Sequence, residues 1–161
     1  MGAGILPVAF HNNKLYLLFS REFEKRNGKE DWRDFGGTPE NNETTIETAI
    51  REGWEESMGF LGSKKDIKNL INNKLVDIVS INKYTIYIVL VPYNEKLPKK
   101  FEQHFMEMYN KNRSRIAKNG LYEKDKLKWI SLDNLPKKYY MFLPWYKKLV
   151  KQVYKKLKCI V

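Results

Sequence analysis

Three carboxylates, Glu52, Glu55 and Glu56, stand at positions i, i+3 and i+4 of the segment TTIETAIREGWEESMG, residues 44–59. On a helix this spacing places them on one arc, about 100° wide. Like charges so close repel one another and cost the helix stability. The cost is recovered if a divalent cation sits between them, because hard ions such as Mg²⁺ and Mn²⁺ prefer oxygen ligands. A solvated acidic face would show the same spacing, so the carboxylates alone leave both readings open. The helix itself has a marked start: Thr44 and Glu47 form a capping-box pair. Ile46, Ile50, Gly53 and Trp54 fall on another arc, which is expected to face the core.

The segment just before this helix is Asp34-Phe35-Gly36-Gly37, where two glycines let backbone approach an ion or phosphate closely. Read from Gly37, the chain runs G-TPENN-E-TTIETAI-RE-G-W-EE-SM-G-F. This resembles the Nudix box: Gly, five residues, Glu, seven residues, Arg-Glu, an apolar residue, any residue, Glu-Glu, a spacer, Gly and an apolar residue. Gly37, Glu43, Arg51, Glu52, Glu55 and Glu56 all fall on the pattern's positions. Two departures stand out. Gly53 fills the apolar slot, at a cost of about 1 kcal/mol relative to alanine in a helix, and a small residue there lets the helix approach a sheet. The spacer Ser57-Met58 is one residue longer than the common form. It falls after the carboxylates, so it should shift the helix exit and leave the acidic face intact. GILPV and LYLLFSRE resemble the family's first strand pair, WRDFGG its lead-in, and LKWISLDNLP its closing strand, so the resemblance covers about residues 4–136.

The resemblance implies an α/β fold, a Nudix-type α/β/α sandwich with a mixed β-sheet, and hydrolysis of a nucleoside diphosphate linked to another group. It carries over Glu52, Glu55 and Glu56 as ligands of Mg²⁺ or Mn²⁺, with a backbone carbonyl at Gly36 as a further ligand. Such a metal neutralises pyrophosphate charge, polarises phosphorus and lowers the pKa of the attacking water. Arg51 is expected to hold Glu43 by a bidentate ion pair and so orient the carboxylate helix, with direct phosphate contact as the alternative. Glu47, four residues before Arg51, competes for the same guanidinium. Glu52 and Glu56 are the expected catalytic carboxylates, Glu52 being favoured as general base over Glu102, Glu107 and Glu123. Arg21, at a strand end, and Arg33, beside the glycine pair, are candidate phosphate clamps; for each, a solvated surface arginine is the competing reading. Trp32 is read as packing ahead of base stacking, Trp129 as core and His11 as a turn residue. His104 has no second His or Cys near it in sequence and is not read as a metal ligand.

Elements must position these groups. Apolar runs predict strands at residues 4–10, 14–19, 75–81, 84–91 and 128–132, with hairpin turns at Asn12-Asn13 and Asn82-Lys83. Helices are predicted at about 45–58, somewhere within 99–118 (with Gly120 as its stop) and from about 144 to the end. A shorter one near 67–71 is capped by Ser63 and Asp66. Without an internal repeat or a Gly/Ser linker, residues 1–161 are expected to be one Nudix domain with a basic C-terminal helix.

The charge, +11 over 161 residues, is unevenly placed. Residues 34–60 carry a net −6, leaving +17 on the rest, and residues 137–161 contain eight lysines and no acid. An acidic centre in a basic body suits a metal site for a polyanionic substrate. In the terminal helix, Tyr146, Leu149, Val150, Val153, Leu157 and Ile160 form an apolar stripe expected to dock on the body. Lys148, Lys151, Lys155 and Lys158 occupy other faces. Together with Lys111, Arg113, Arg115 and Lys118 they form a candidate phosphate-tracking surface, against the simpler reading of solvated lysines. The expected partner is a phosphorylated nucleotide-type substrate, with RNA as a candidate and mRNA decapping as the first guess. Free nucleotides, dinucleoside polyphosphates and diphosphoinositol polyphosphates are the alternatives within the same chemistry. A non-catalytic RNA-binding module is the alternative outside it, and it has no need of the costly acidic cluster.

One cysteine, Cys159, and two histidines exclude a disulfide framework and a four-cysteine zinc site. Apolar runs are too short to span a bilayer, so no stable membrane association is expected. The opening GAGILPVAF lacks a basic flank and is not read as a signal peptide, and Leu6 stands where a myristoylation signal needs Ser or Thr. A cytoplasmic or other intracellular setting is expected. The 24 Lys, 14 Asn and 12 Ile fit an A+T-rich genome, viral or protozoan, so a viral protein in host cytoplasm is one such setting.

Overall fold

A strand of ten largely apolar residues is stable only when both its faces are covered. In the computed structural model, which describes residues 2–112 and 122–161, that strand is β1 (Gly2–His11), at the centre of a seven-stranded mixed sheet. Val8–His11 of β1 pair antiparallel with β2 (Lys14–Glu22), while Gly2–Val8 run parallel to β6 (Tyr84–Leu90). β5 (Leu75–Ile81) flanks β6, and β7 (Lys124–Ser131) flanks β2. Both predicted hairpins form, with Asn12, Asn13, Asn82 and Lys83 all at positive φ, the conformation that a tight two-residue hairpin needs.

Two short strands were not foreseen. β3 (Trp32–Arg33) pairs with β2 and β4 (Phe35–Gly37) pairs with β1, so residues 32–37 bridge the gap where β1 and β2 diverge. Asp34 lies at the switch between them. The glycine pair is therefore strand, held opposite Ala3 and Gly4, rather than turn.

Side chains alternate along β1. Leu6 and Val8 join the core beneath α4 (Pro144–Ile160) and a 3-10 helix (Leu132–Met141), whereas Ala3 and Ile5 face α1 (Thr45–Glu56) and α2 (Lys64–Asn73). α3 (Leu97–Lys111) covers Leu18 and Leu127 through Phe101. The result is the expected α/β/α sandwich with a mixed sheet.

Several boundaries differ from expectation. α2 is longer than residues 67–71 because its capping box, Ser63 with Asp66, starts it at Lys64. α3 begins at Leu97, with Pro98 in its first turn, where a missing N–H costs nothing. Its predicted continuation to Lys118 and the stop at Gly120 lie outside the described residues. β7 begins four residues before 128, because its polar start pairs with the end of β2. The stripe on α4 docks through Tyr146, Leu149, Val150, Val153 and Leu157, but Ile160 is 56% exposed, beyond the reach of the sheet.

Candidate active site

α1 presents an unusual face to the protein. Its buried residues are Thr48, Ala49, Glu52, Gly53 and Glu56, whereas Ile46 is 44% exposed, so the helix is rotated from the arc expected on hydropathy. Gly53 favours the rotation: a Cβ there would lie 3.0 Å from Cγ1 of fully buried Ile5, so glycine lets α1 seat on β1 without Ile5 giving way. Gly37 has the same role opposite, since its Cβ would stand 2.6 Å from Oε1 of Glu52. The capping box forms, and it draws Glu47 to the Thr44 N–H and away from Arg51. The longer spacer is absorbed by Met58 and Gly59, both at positive φ, beyond the last carboxylate.

Arg51 is the organiser. Its Nε and Nη2 donate to the two oxygens of Glu43 at 2.8 and 3.0 Å, the expected bidentate pair. Nη1 reaches Glu52 at 2.9 Å and Glu55 at 3.2 Å, and Nη2 also donates to the Thr38 carbonyl at 2.8 Å. The Arg51 guanidinium holds the Glu43 carboxyl down at about 2. Glu52 differs: burial raises its pKa to about 7, although Arg51 opposes the rise.

Deeper in, Glu56 is 2% exposed and accepts the Gly36 N–H at 2.7 Å. Carboxylate oxygens of Glu22, Glu56 and Glu123 lie within 4.8 Å of one another. Lys124, fully buried, donates to Glu22 at 2.8 Å and stands 3.7 Å from Glu56. Burial pushes Glu56 well above its ordinary pKa despite Lys124, and burial likewise raises Glu123. Burial works against the Lys124 charge, but Glu56 and Glu22 outweigh it and raise its pKa. Behind this floor, Asp34 accepts hydrogen bonds from the hydroxyls of Tyr84 and Tyr146, both at 3.0 Å, and burial lifts its pKa to about 6.

Glu22, Arg51, Glu52, Glu55, Glu56 and Glu123 line an open cleft of about 820 Å³ together with Lys25, Arg26 and Arg33, whereas Glu43, Lys124 and Asp34 are not on its lining. The structure thus brings Arg51, Glu52, Glu55, Glu56, Gly36 and Arg33 to one wall. Arg21 is not among them: its guanidinium is taken up by Asp125, at 3.0 and 2.7 Å, and by Glu30 at 2.9 Å, so no phosphate clamp is free there. Of the alternative bases only Glu123 reaches the cleft, whereas Glu102 pairs with Lys126 at 3.6 Å on exposed α3 and Glu107 faces solvent. Arg33 is gripped by Asp31 through Nε at 2.8 Å and through Nη2, yet it still lines the cleft. Trp32 is packed, as expected, with its Nε1 donating to Glu30. Trp129 is only half-buried, packed against the Phe101 cluster under α3 and donating to the Asn94 carbonyl at 2.9 Å. His11 stacks on Tyr93 beside its turn, and His104 sits against Phe60 and Tyr122. Of the proposed basic surface, Arg113, Arg115 and Lys118 lie outside the described residues.

Sequence reasoning missed Glu22 and Lys124. They face each other across the β2–β7 pairing, and only that pairing makes them neighbours.

Solved structures with this architecture are numerous. An Ap4A hydrolase of C. elegans in a binary complex superposes with a TM-score of 0.58 over 98% of both chains, at 13% identity. The Nudix domain of Shewanella oneidensis NrtR, complexed with ADP ribose, gives 0.54 over 97% of this chain and 86% of that one, at 14% identity. A Nudix hydrolase from Nitrosomonas europaea gives 0.51 over 98% and 88%, at 18% identity. The chain has the Nudix fold. Its box residues occupy the helix and glycine strand that form the wall of the cleft, and the terminal helix α4 closes the opposite face of the Nudix sheet. No family model matches the chain. A curated relative, the uncharacterized protein L534 of Acanthamoeba polyphaga mimivirus, is 46% identical over 57 residues, 34% of this chain, and the match spans only 18% of that protein's length. Among the described residues no helix is long and apolar enough to cross a membrane.

Proposed function

We propose that this protein is a Nudix hydrolase that uses Mg²⁺ or Mn²⁺ to cut a phosphoanhydride bond in a nucleotide-linked substrate. The observation that carries this reading is the cleft's charge balance. Eight acids, among them Glu22, Glu52, Glu55, Glu56 and Glu123, line the cleft against four lining cations, Lys25, Arg26, Arg33 and Arg51, with buried Lys124 behind Glu22 and Glu56. Crowded carboxylate oxygens with too little internal counter-charge are the donor set that a hard divalent ion fits. The ligands proposed are Glu52, Glu55 and Glu56 with the Gly36 carbonyl, joined by Glu22 and Glu123 at the floor. When bound, the metal supplies charge neutralisation on the pyrophosphate and an acidified water.

The protein's own groups do the rest. Arg51 fixes Glu43, Glu52 and Glu55 in one geometry, so little reorganisation remains at the moment of reaction. Glu52 is the proposed general base, being buried at the wall and poised by that burial near neutral pH. Arg33, preorganised by Asp31, is the proposed phosphate clamp. Within this chemistry, capped RNA is the first substrate to try, because the basic body outside the cleft favours a large polyanion.

The test is a Mg²⁺- and Mn²⁺-dependent hydrolysis panel of capped RNA, nucleoside triphosphates, dinucleoside polyphosphates and diphosphoinositol phosphates. Turnover that falls by more than about 100-fold in Glu56→Gln, with folding retained, supports the hydrolase. Absence of turnover on every substrate, together with salt-sensitive RNA binding, overturns it. Faster cleavage of free nucleotides than of capped RNA overturns the decapping assignment alone.

A further inference from the structure

Beside the catalytic cleft lies a second cavity of about 270 Å³, lined in part by Lys83, Tyr84, Trp145 and Lys148. Nothing in the proposed hydrolysis uses it. Trp145, at the start of α4, is 41% exposed, yet its indole is firmly placed. Tyr84 and Tyr146 meet it edge-on with ring centres 5.9 and 5.4 Å away, and the Arg33 guanidinium lies 4.8 Å from its centre. Arg33 lines the cleft and Trp145 the second cavity, so their stack stands between the two. Tyr84 is in turn tied by its hydroxyl to buried Asp34.

Two cations flank the indole. Lys148 follows Trp145 by three residues and so shares its face of α4. Lys83 projects from the β5–β6 turn, its backbone fixed at φ 66°. Neither lysine makes an ion pair among the described residues. A rigid, half-exposed aromatic plane flanked by unpaired ammonium groups is the donor set for a base carrying a phosphate. An acidic peptide would use the lysines and leave the indole idle, and a lipid surface would need a broader apolar area.

We infer that this cavity is a nucleotide subsite: it takes a base on Trp145 and a phosphate between Lys83 and Lys148, in the part of the substrate that lies outside the bond to be cut. The inference rests on the nucleotide chemistry proposed for the cleft. The next nucleotide of an RNA chain and the second nucleoside of a dinucleoside polyphosphate both have the required chemistry.

The experiment reads binding in EDTA, so turnover plays no part. A 3′-labelled decauridylate is titrated with the full chain by fluorescence anisotropy, and diadenosine tetraphosphate is tested as a competitor. Trp145→Ala should weaken decauridylate binding about tenfold, the loss of one base stack, while Trp145→Phe retains most of it. Lys83→Glu with Lys148→Glu should weaken it further and flatten the salt dependence by about one in logarithmic slope. The same charge change on α2, Lys65→Glu with Lys68→Glu, should have little effect. Losses for both ligands assign a general nucleotide site, and losses for decauridylate alone assign an RNA path. Binding unchanged in Trp145→Ala, or equal losses from the α2 pair, overturns the inference. Binding that depends on Trp145 in a protein that hydrolyses nothing would uphold the subsite and sink the enzymatic reading.

Discussion

Glu43 on Arg51 and Glu56 beside Lys124 are both carboxylates next to one cation of the same site, yet they end in opposite electrostatic states. Around Arg51 the guanidinium fork makes hydrogen bonds to Glu43, Glu52 and Glu55, and the Glu43 carboxyl is drawn down to about 2. Around Lys124 a single ammonium is fully buried, hydrogen-bonds Glu22, and stands 3.7 Å from Glu56, whose pKa burial drives well upward. Number of acids is not what separates them. A planar fork at the edge of water shares its charge among several partners, whereas a point charge in the interior leaves nearby carboxylates desolvated and undercompensated. The Arg51–Glu43 pair is a finished structural joint, while Glu52 on the same guanidinium is raised by burial, as Glu56 is. The Lys124 neighbourhood has room for another positive charge.

Removing Lys124 should give the largest effect. Lys124→Met leaves Glu22 and Glu56 without their internal cation and should cost about 3–5 kcal/mol at neutral pH by denaturant unfolding. The loss should shrink near pH 5, where Glu56, raised by burial, takes up a proton in place of the lysine charge. A cost below about 1 kcal/mol at pH 7 would show that the floor is not short of positive charge.

Metal titration should come next in size. Glu52 and Glu56 have folded pKa values raised above their unfolded ones by burial, Glu52 to about 7, so part of the population carries protons near neutral pH. Binding Mg²⁺ or Mn²⁺ must displace those protons. Calorimetry at pH 6.5 in buffers of different ionisation enthalpy should therefore show proton release that fades above pH 8. Saturating metal, at 100 times its Kd, should add about 2.7 kcal/mol of stability. Metal binding without proton release at pH 6.5 would remove the contrast between the two neighbourhoods.

The smallest effect belongs to the finished joint. Glu43 has its folded pKa depressed, so its stabilisation is complete above its unfolded pKa, about 4.3, and is lost as pH falls toward 2. Glu43→Gln should cost about 1 kcal/mol at pH 7, and the gap to the parent protein should close on acidification. A gap that is undiminished at pH 2.5 relative to pH 7 would mean that Glu43 acts by packing and not by charge.

How much of this was legible in the sequence depends on the range of the interaction. The capping box of α1, both asparagine-bearing hairpins and the Arg51–Glu43 pair are made by residues within ten positions of each other, and all were readable. The face of α1 was misread at Ile46 because hydropathy cannot see that Gly37 and Gly53 make room for Glu52 and for close approach to β1. Glu22 and Lys124 are about a hundred residues apart and become neighbours only through the β2–β7 register. Arg21 looked free for the same reason, since its captor Asp125 is equally distant. Trp145 read as one more residue of a terminal helix until its stack with Arg33 was visible.

The order of pairing in the sheet also has a consequence for how the chain reaches this state. β1 occupies the middle of the sheet, but its parallel partner β6 is some eighty residues further on, and β2 waits about a hundred residues for β7. Sheets closed by such distant partners pay loop-closure entropy before any pairing rewards it, and they fold slowly. During that interval the run GILPVAF is unpaired and uncharged, with Pro7 as its one residue that resists edge pairing. The β1–β2 hairpin, closed by Asn12-Asn13, is local in sequence and can pair part of β1 before its distant partners arrive, which makes it a kinetic safeguard as well as a piece of the scaffold.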